Sequence, residues 1–325
     1  MIKLHHSTFP GRLWRRRRRV NLVRYSTFAS GLLKKAITRF RGAVSLSLLF
    51  SFLFSGCMQV ALRASPSLFP NVASAMFEEC DPELAKASIP PNLKLLEGIL
   101  KNDPENRKIL TTLCMGFAGY SLLFIEPEDP ERASAFYLRA LDYGIRALGD
   151  KGTPLGNREA GPEPVRAALK NMDPTDLEAL FWTTLSWNAW INLNLDKPSA
   201  LAQLSASEAC LKRVLELDAH FFYSAPHILM GASLAARPPL LGGSPEKARI
   251  HFEEAMQKNH GHFFLAQVYF ARYYAVRVQD KELFGRALAE VLRGAPDEIK
   301  EVCLINRVMQ RRAQELAKQA EDLFL

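Results

Sequence analysis

PEKARIHFEEAMQKNH, which runs from Pro245 to His260, is the stretch of sequence that decides the fold. Within it a small residue, an aromatic residue and a second small residue follow one another as Ala248, Phe252 and Ala255. On a helix these three side chains lie on one face, where small residues let a second helix approach closely and the aromatic ring fills the gap beside it. The stretch therefore predicts one helix of an antiparallel helical hairpin.

The same pattern recurs on either side of this stretch. Ala133-Tyr137-Ala140 repeats it completely. Three further matches are looser: the second-helix patterns Ser207-Leu211-Val214 and Phe284-Ala287, and the first-helix pattern Trp182-Leu185-Ser186-Ala189. The set resembles the tetratricopeptide repeat, in which helical hairpins stack on one another. The resemblance implies an all-α fold of about four divergent repeats, with extra helices at the N- and C-terminal ends.

Start signals divide the chain into helices. Proline preceded by aspartate or serine, as in Asp129-Pro130 and Ser244-Pro245, is typical of a first helical turn. No stretch alternates apolar and polar residues as a half-buried strand does. We predict a first helix that begins at residue 91, and long loops over the Gly- and Pro-rich segments 149–172 and 237–244.

The formal net charge of +8 on the 325 residues is unevenly distributed. Residues 1–56 hold 12 of the 42 Lys and Arg residues and no Asp or Glu, so the remaining 30 basic and 34 acidic residues give −4. A mildly acidic domain has no electrostatic basis for binding nucleic acid, so we expect no nucleic-acid partner.

The N-terminal segment has the layout of an export signal. A basic flank is followed by the apolar run Ala43–Phe54, as in a secretory signal peptide. The next residues, Phe54-Ser55-Gly56-Cys57, resemble the bacterial lipobox, whose Cys thiol receives a diacylglycerol group and whose new amino group is acylated, commonly as palmitate. We predict Cys57 as the site of lipid attachment. An uncleaved transmembrane helix over 42–62 is the alternative.

These features divide the chain into three parts. Residues 1–56 are predicted as a lipoprotein signal peptide with an unusually long basic region, residues 57–90 as an anchor segment and linker, and residues 91–325 as the helical domain. Both interpretations of the apolar run place the helical domain outside the cytoplasm. We therefore expect a lipid-anchored protein of the cell membrane that faces the periplasm of a diderm bacterium.

Beyond Cys57, the cysteines form no pattern of a known site. Cys80, Cys114, Cys210 and Cys303 include no C-x-x-C pair, which excludes zinc-ribbon and thioredoxin motifs. The last three lie among apolar residues at helical spacing and are predicted as free cysteines of the core. A disulfide, which an oxidising periplasm would permit, is the alternative.

No motif of catalysis or cofactor binding occurs, so we expect neither an enzyme nor a cofactor. The chain contains no G-x-S-x-G, P-loop, G-x-G-x-x-G or H-E-x-x-H motif. His251 and Glu254 stand three residues apart, a spacing that two metal ligands can use. The apolar side of their helix is predicted to consist of Ile250, Phe252 and Ala255, so solvated residues are the commoner outcome and we predict no metal site. Asp176 and Glu178 lack a companion nucleophile or base.

Aromatic residues are concentrated in the predicted first helices. Three tryptophans, Trp182, Trp187 and Trp190, fall on one helix, which is more than a single buried stripe requires. First helices line the concave surface of a tetratricopeptide fold, so Trp190, Tyr223 and Tyr273 are predicted to line a ligand groove or pore. Core packing and a trimer interface are the alternatives.

Several segments together resemble the T component associated with TRAP (tripartite ATP-independent periplasmic) transporters. These segments are, in chain order, Pro91–Glu97, Tyr137–Leu148, Arg237–Ala248, Ala271–Tyr274 and Asn306–Leu316. The resemblance covers the chain from about Cys57 to Leu325. It implies a helical lipoprotein that forms a homotrimer with openings through each subunit, binds a TRAP-type periplasmic substrate-binding protein and channels a ligand of hydrophobic character. It brings no catalytic residues. A general tetratricopeptide scaffold for envelope assembly is the alternative function.

Overall fold

A computed structural model describes residues 68–158 and 161–324, with backbone only for 68–70. Ala61–Leu325 forms one compact unit with its own hydrophobic core. The signal segment 1–56, the lipid-attachment residue Cys57 and the first part of the predicted linker lie outside the described residues.

The described residues are helical and contain no β-strand, which confirms the predicted all-α class. Short 3-10 turns connect several of the helices. In chain order the α-helices are α1 Leu68–Phe77, α2 Pro82–Leu100, α3 Arg107–Tyr120, α4 Pro130–Ala147, α5 Thr153–Gly156, α6 Pro162–Leu169, α7 Leu177–Leu193, α8 Pro198–Leu201, α9 Leu204–Asp218, α10 Phe221–Ala236, α11 Pro245–Lys258, α12 Leu265–Tyr269, α13 Lys281–Arg293, α14 Cys303–Lys318 and α15 Ala320–Leu323.

Side chains at the helix starts explain where the helices begin. Asp81, Asn106, Asp129, Ser244 and Asp280 each accept a hydrogen bond from a backbone N–H of the first turn of the helix that follows. Such a cap satisfies a donor that has no partner inside the helix and stabilises the helix by about 1 kcal/mol. Two of these caps, Asp129 and Ser244, precede a proline at a predicted helix start. Asp81 also precedes a proline, but in the segment that was predicted as linker.

The repeat pattern forms the predicted hairpin contacts. α4 packs against α3, and α11 packs against α10. The residues of both complete patterns are fully buried in these contacts: Ala133, Tyr137, Ala140, Ala248, Phe252 and Ala255. Ile250, which the sequence pattern placed on the apolar side of α11, is instead 65% exposed. It lies two residues from Phe252, and therefore far round the helix from the buried face.

Two glycines show how closely the helices approach. A Cβ atom added to Gly231 of α10 would lie 2.9 Å from the ring of Phe252 on α11. A Cβ atom added to Gly144 of α4 would lie 2.2 Å from Oγ1 of Thr183 on α7. Neither distance is compatible with an ordinary carbon contact. The close approach of these helices therefore requires glycine, which has no side chain, at both positions.

Two sequence predictions about helix placement are wrong. The first long helix begins at Pro82 and not at residue 91, because its buried face runs without interruption through Pro90 and Pro91. The members of that face are Ala85, Ile89, Leu93, Leu96 and Leu100. The segment 149–172, predicted as a loop, contains α5 and α6, both of which have proline in the first turn. Val165 and Leu169 of α6 are buried, which explains how a Gly- and Pro-rich stretch becomes ordered.

The prediction that Cys303 is a free core cysteine is also wrong. Cys80, between α1 and α2, forms a disulfide with Cys303 at the start of α14, with a Cα–Cα distance of 5.2 Å and a sequence separation of 223 residues. Cys114 and Cys210 are free and buried, as predicted. Burial raises the pKa of both thiols to about 12, so neither is reactive near neutral pH.

One helix among the described residues is long and apolar enough to cross a membrane. Arg107–Ile125 has a mean hydropathy of 1.5, but 78% of that stretch is buried inside the protein. Such burial is typical of the central helix of a folded domain, which must be apolar on most of its surface.

Candidate ligand cleft

An apolar cleft lies among α3, α7, α10 and α12. We call it the central cleft and define it by six of the residues that line it: Leu122, Trp182, Leu185, Phe222, Leu229 and Tyr273. Its lining is mostly apolar with a few polar groups, which is the usual composition of small-molecule sites.

α7 runs through the middle of the fold and contributes one face to this cleft. Trp182, Leu185, Asn188, Ala189 and Asn192 recur at helical spacing and all line it. The remaining faces of α7 are buried as well, because neighbouring helices surround it. This explains why three tryptophans occur on one helix, because each face of a fully enclosed helix needs large apolar side chains.

Three aromatic rings form one wall of the central cleft. The Phe77 ring, at the end of α1, stacks on Trp182 with centroids 6.3 Å apart and an interplanar angle of 12°. Phe222 lies 5.6 Å from Phe77 and 5.3 Å from Trp182. Such contacts contribute about 0.5–1.5 kcal/mol each beyond simple burial, so they stabilise the wall.

Phe222 reaches this position through an unusual backbone. Phe222, Tyr223 and Ser224 have φ values of 44°, 59° and 63°, all in the left-handed region. For residues with a Cβ atom this conformation costs roughly 1–2 kcal/mol per residue, so the surrounding packing must hold it in place. Strain of this kind concentrates at functional sites. Here it turns the start of α10 toward the cleft.

Two helices that border the cleft contain π-helical turns. α3 continues as a π-helix over Ser121–Ile125, and α12 continues as one over Phe270–Ala275. Leu122 and Leu123 of the first turn and Tyr273 of the second line the central cleft. A π-turn widens the helix and shifts the side chains that follow, and such turns are frequent at functional sites.

A second apolar cavity adjoins the first. It lies among α1, α2 and α3, and Phe77, Gly119 and Leu123 line both cavities. These three residues form the wall between the cavities. Because the disulfide joins Cys80 to α14, the segment that carries Phe77 is covalently fixed three residues from this wall.

The central cleft also contains polar groups. Glu126 accepts a hydrogen bond of 2.5 Å from the Tyr137 hydroxyl. Burial, and then the Glu126 carboxylate, raise the pKa of Tyr137 well above its ordinary value, so the hydroxyl stays a donor. Asn188 and Asn192 present their amides from α7. Among the residues predicted as lining, Tyr273 lines the cleft, whereas Trp190 and Tyr223 do not.

Trp190 and Tyr223, which were also predicted to line a groove or pore, pack elsewhere. Trp190 is 8% exposed and lies on a face of α7 turned away from the cleft. Tyr223 is half-buried, and its ring contacts Phe222 and Phe263. Sequence reasoning missed Phe77 and Phe222 as wall residues. Phe77 was assigned to a linker. No sequence pattern predicts the left-handed backbone at residues 222–224 that places the Phe222 ring at the cleft.

Asp176, for which the sequence suggested no companion, has a structural role. Its carboxylate is buried and accepts hydrogen bonds from Arg107 at 2.7 Å, from Lys151 at 2.6 Å and from the backbone N–H of Asp173 at 3.0 Å. Burial opposes ionisation, but the three donors outweigh it and lower the pKa of Asp176. The carboxylate therefore ties the start of α7 to neighbouring segments.

His251, a metal candidate in the sequence, contacts another histidine. Its Nδ1 atom lies 2.9 Å from Nδ1 of His227, so one ring donates and the other accepts. Burial, and then the neighbouring His251, lower the pKa of His227 from 6.5 to about 4. Burial also lowers the pKa of His251. Within the described ranges, no group of three or more His, Cys, Asp or Glu side chains is arranged to hold a metal ion.

The histidine pair predicts that the fold loses stability in mild acid. Between the pKa of about 4 in the folded state and 6.5 in the unfolded state, the unfolded chain binds a proton that folded His227 does not. The free energy of unfolding should therefore fall as the pH drops from 6.5 toward 4, by up to about 1.4 kcal/mol per pH unit, and then level off. Urea unfolding at a series of pH values measures this slope.

His227→Gln is the matching variant, because glutamine can still hydrogen bond to His251 and does not titrate. The charged and titratable groups that face His227 are His220, Glu254 and Lys258, and they remain in place. We expect the variant to lose the part of the slope between pH 6.5 and 4 that His227 contributes, whereas His251, whose pKa burial also lowers, keeps its own part. An unchanged slope would assign the acid sensitivity to other groups.

Helical hairpins that pack on one another, without a strand in the described residues, define the class of this protein, that of all-α helical-repeat proteins. The chain belongs to the TRAP transporter T-component family, which matches residues 78–324. The family resemblance of the sequence is thereby confirmed, and membership assigns the chain an accessory role in TRAP transport. The family is one of transporter components and not of enzymes. A search of curated proteins finds no match to the chain.

Proposed function

We propose that this protein is a lipid-anchored, periplasm-facing accessory component of a TRAP-type solute transporter. In this proposal it forms a homotrimer, binds the periplasmic substrate-binding protein and holds or passes an apolar ligand through the central cleft. The observation that carries the proposal is the combination of family membership over 78–324 with an apolar cleft lined by aromatic side chains. An apolar cleft gives a transport component a site for a ligand that water does not dissolve well.

An exposed apolar loop supports the proposed association with other proteins. Pro238, Pro239, Leu240 and Leu241 are consecutive and exposed, and Leu240 is 94% exposed. We call residues 238–241 the apolar tip. A run of exposed apolar residues is unfavourable in water unless a partner covers it.

The apolar tip is held rigidly. Arg237, which precedes it, is 2% exposed. Its guanidinium donates to the Ser233 carbonyl at 2.7 Å and to the Glu208 carboxylate at 3.0 Å. On the other side, the Ser244 N–H donates to the Leu234 carbonyl at 3.0 Å. A preorganised loop loses little conformational entropy on binding, which favours association.

Sedimentation velocity tests the association. The purified chain alone should sediment as three copies. When it is mixed with a TRAP-type periplasmic substrate-binding protein, it should sediment as a heavier complex. Leu240→Asp should weaken at least one of these associations tenfold or more, because it places a charge in the apolar tip. Leu292→Asp, at a 41% exposed position on α13, is the control. The proposal would be contradicted if the protein sediments as a monomer at micromolar concentration and forms no complex with the substrate-binding protein.

The proposed anchor has its own test. Cells that express the full chain are grown with radioactive palmitate, and the labelled protein is detected after electrophoresis. We expect labelling of the wild type and none of Cys57→Ala, because the thiol is the acceptor of the lipid. Cys210→Ala, which removes a buried cysteine, should label as the wild type does. Labelling of Cys57→Ala would show that the lipid, if any, is attached elsewhere.

A further inference from the structure

A cavity of about 330 Å³ lies among α6, α9 and the segment that follows α10. We call it the basic cavity and define it by the polar residues that line it: Arg166, Ser205, Glu208, Lys212 and Arg237. Three of these side chains are cationic and one is anionic, so the lining carries a net charge of +2. A concave site of this size with an excess of positive charge attracts an anion.

Arg237 is the buried cation of the basic cavity. Its side chain is 2% exposed, Nε donates to the Ser233 carbonyl, and Nη1 donates to the Glu208 carboxylate at 3.0 Å. Nη2 is shielded from solvent and has no hydrogen-bond partner among the described residues. Because Nη2 is bonded to the same carbon as Nη1, it lies beside the wall that α9 forms. A buried donor without an acceptor is unfavourable, so its position points to a ligand.

Glu208 positions two of the cations without neutralising them both. One of its oxygens is paired with Lys212 Nζ at 2.7 Å, and the other accepts from Arg237. Burial opposes ionisation of Glu208, but the hydrogen bonds from Lys212 and Arg237 outweigh it and lower the pKa of Glu208. The carboxylate is therefore charged and is shared by two cations. An ammonium has three donors and a guanidinium five, so both keep donors for another acceptor.

Arg166 brings a third cation from α6 on the opposite side of the cavity. Its Nη2 donates to the Ser205 hydroxyl at 3.0 Å, and its Nη1 donates to Glu163 at 2.8 Å. Glu163 is outside the lining and its side chain is 77% exposed, so water screens its charge. The Ser205 hydroxyl, which accepts from Arg166, can itself donate to an anion.

We infer that the basic cavity binds a phosphoryl group. A phosphate monoester carries a charge close to −2 at neutral pH and three acceptor oxygens, which match the charge of the lining and its donors on α6, on α9 and at Arg237. A monocarboxylate brings one charge and two oxygens in one plane. Guanidinium groups are well suited to phosphate because their donors form a planar fork. The inference goes beyond the proposed function, since it involves neither the central cleft nor the substrate-binding protein.

Two sources can supply this group. Leu241 lines the basic cavity and belongs to the apolar tip, so apolar surface begins at the cavity edge. The group is therefore carried either by a soluble phosphate ester or by a phospholipid whose chains the apolar tip contacts. Glycerol 3-phosphate and phosphatidate have the same head group, and they distinguish these sources.

Calorimetric titration of the purified protein at low ionic strength tests the inference with inorganic phosphate, glycerol 3-phosphate and acetate. We expect a phosphate species to bind at least about tenfold more tightly than acetate, because it brings more charge and more acceptors. Cosedimentation with phosphatidylcholine vesicles, with and without phosphatidate, is the second arm. A lipid anchor would act equally on both kinds of vesicle.

Two variants and one control test the site itself. Arg166→Gln and Lys212→Gln should each weaken phosphate or phosphatidate binding about fivefold or more, because each removes a charge that lines the cavity. Lys170→Gln is the matched control. Lys170 is exposed, stands four residues after Arg166 and is outside the lining, so its loss changes the net charge equally and should alter binding by less than about twofold. Circular dichroism confirms that each variant is folded.

The outcomes identify the source or overturn the inference. Binding of inorganic phosphate or glycerol 3-phosphate, weakened by the two variants, assigns a soluble ligand. Binding only to phosphatidate vesicles, weakened by the same variants and by Leu240→Asp, assigns a lipid head group. The inference is wrong if neither phosphate species nor phosphatidate vesicles bind at millimolar concentration, or if acetate binds as tightly as phosphate. It is equally wrong if Lys170→Gln weakens binding as much as Arg166→Gln does.

Discussion

Replacing Cys80 by alanine is expected to lower the free energy of unfolding by about 4 kcal/mol. The Cys80–Cys303 disulfide closes a loop of 223 residues, and a cross-link stabilises a protein mainly by restricting its unfolded chain, more so when the loop is long. Cys80 is half-buried, whereas Cys303 is fully buried, so substitution at Cys80 removes the bond with little loss of core packing. Urea unfolding monitored by circular dichroism measures the change.

Two comparisons isolate the bond. Reduction of the wild type should lower its stability to that of Cys80→Ala and leave Cys80→Ala unchanged. Cys210→Ala, which alters a fully buried free cysteine, should cost only about 1 kcal/mol through the small cavity that it leaves. Equal stability of oxidised and reduced wild type, within about 0.5 kcal/mol, would show that the bond is absent or makes no contribution.

Phe252→Ala is expected to destabilise the fold by about 3–5 kcal/mol. Phe252 is fully buried in α11, its ring lies against Gly231 of α10, and its centroid is 5.7 Å from that of Phe270. Truncation removes the contacts that join three helices and leaves a cavity that the rigid neighbours cannot fill. Thermal and urea unfolding should both report the loss.

Ile250→Ala is the matched control for this prediction. Ile250 stands on the same helix, two residues earlier, and is 65% exposed. Its truncation should change the free energy of unfolding by less than about 0.5 kcal/mol, because little apolar surface is buried there. A similar loss for the two variants would mean that α11 presents a different face to α10.

The parts of the fold that sequence could predict are those encoded by nearby residues. The spacing of Ala248, Phe252 and Ala255 identified a buried face because side chains three and four apart meet on a helix. The aspartate and serine caps identified helix starts because a cap acts within three residues. Both signals are local, and both agree with the structure at α4 and α11.

The features that sequence did not predict depend on distant contacts. Nothing near Cys303 indicates a partner 223 residues away, and its apolar neighbours are as typical of a free cysteine. The left-handed residues 222–224 persist only because surrounding packing holds them. Ile250 appeared to belong to the apolar face, and only the position of α10 shows which face is covered.

The same reasoning applies to the central cleft. Aromatic enrichment indicated α7 and α12 as lining elements, and Tyr273 was among the residues named. The sequence could not separate Trp182, which faces the cleft, from Trp190, which faces the core, because α7 is surrounded on all sides and large apolar side chains occur on each of its faces.

The disulfide also determines how the domain bears mechanical load. Cys80 stands near the N-terminal end of the described helices, and Cys303 begins α14 near their C-terminal end. A pull on the chain from the N-terminal side of Cys80 passes through the covalent bond into α14 as well as into α2. The two ends of the helical array are thus loaded together, and the intervening hairpins are protected from being peeled away one after another from the N-terminal end.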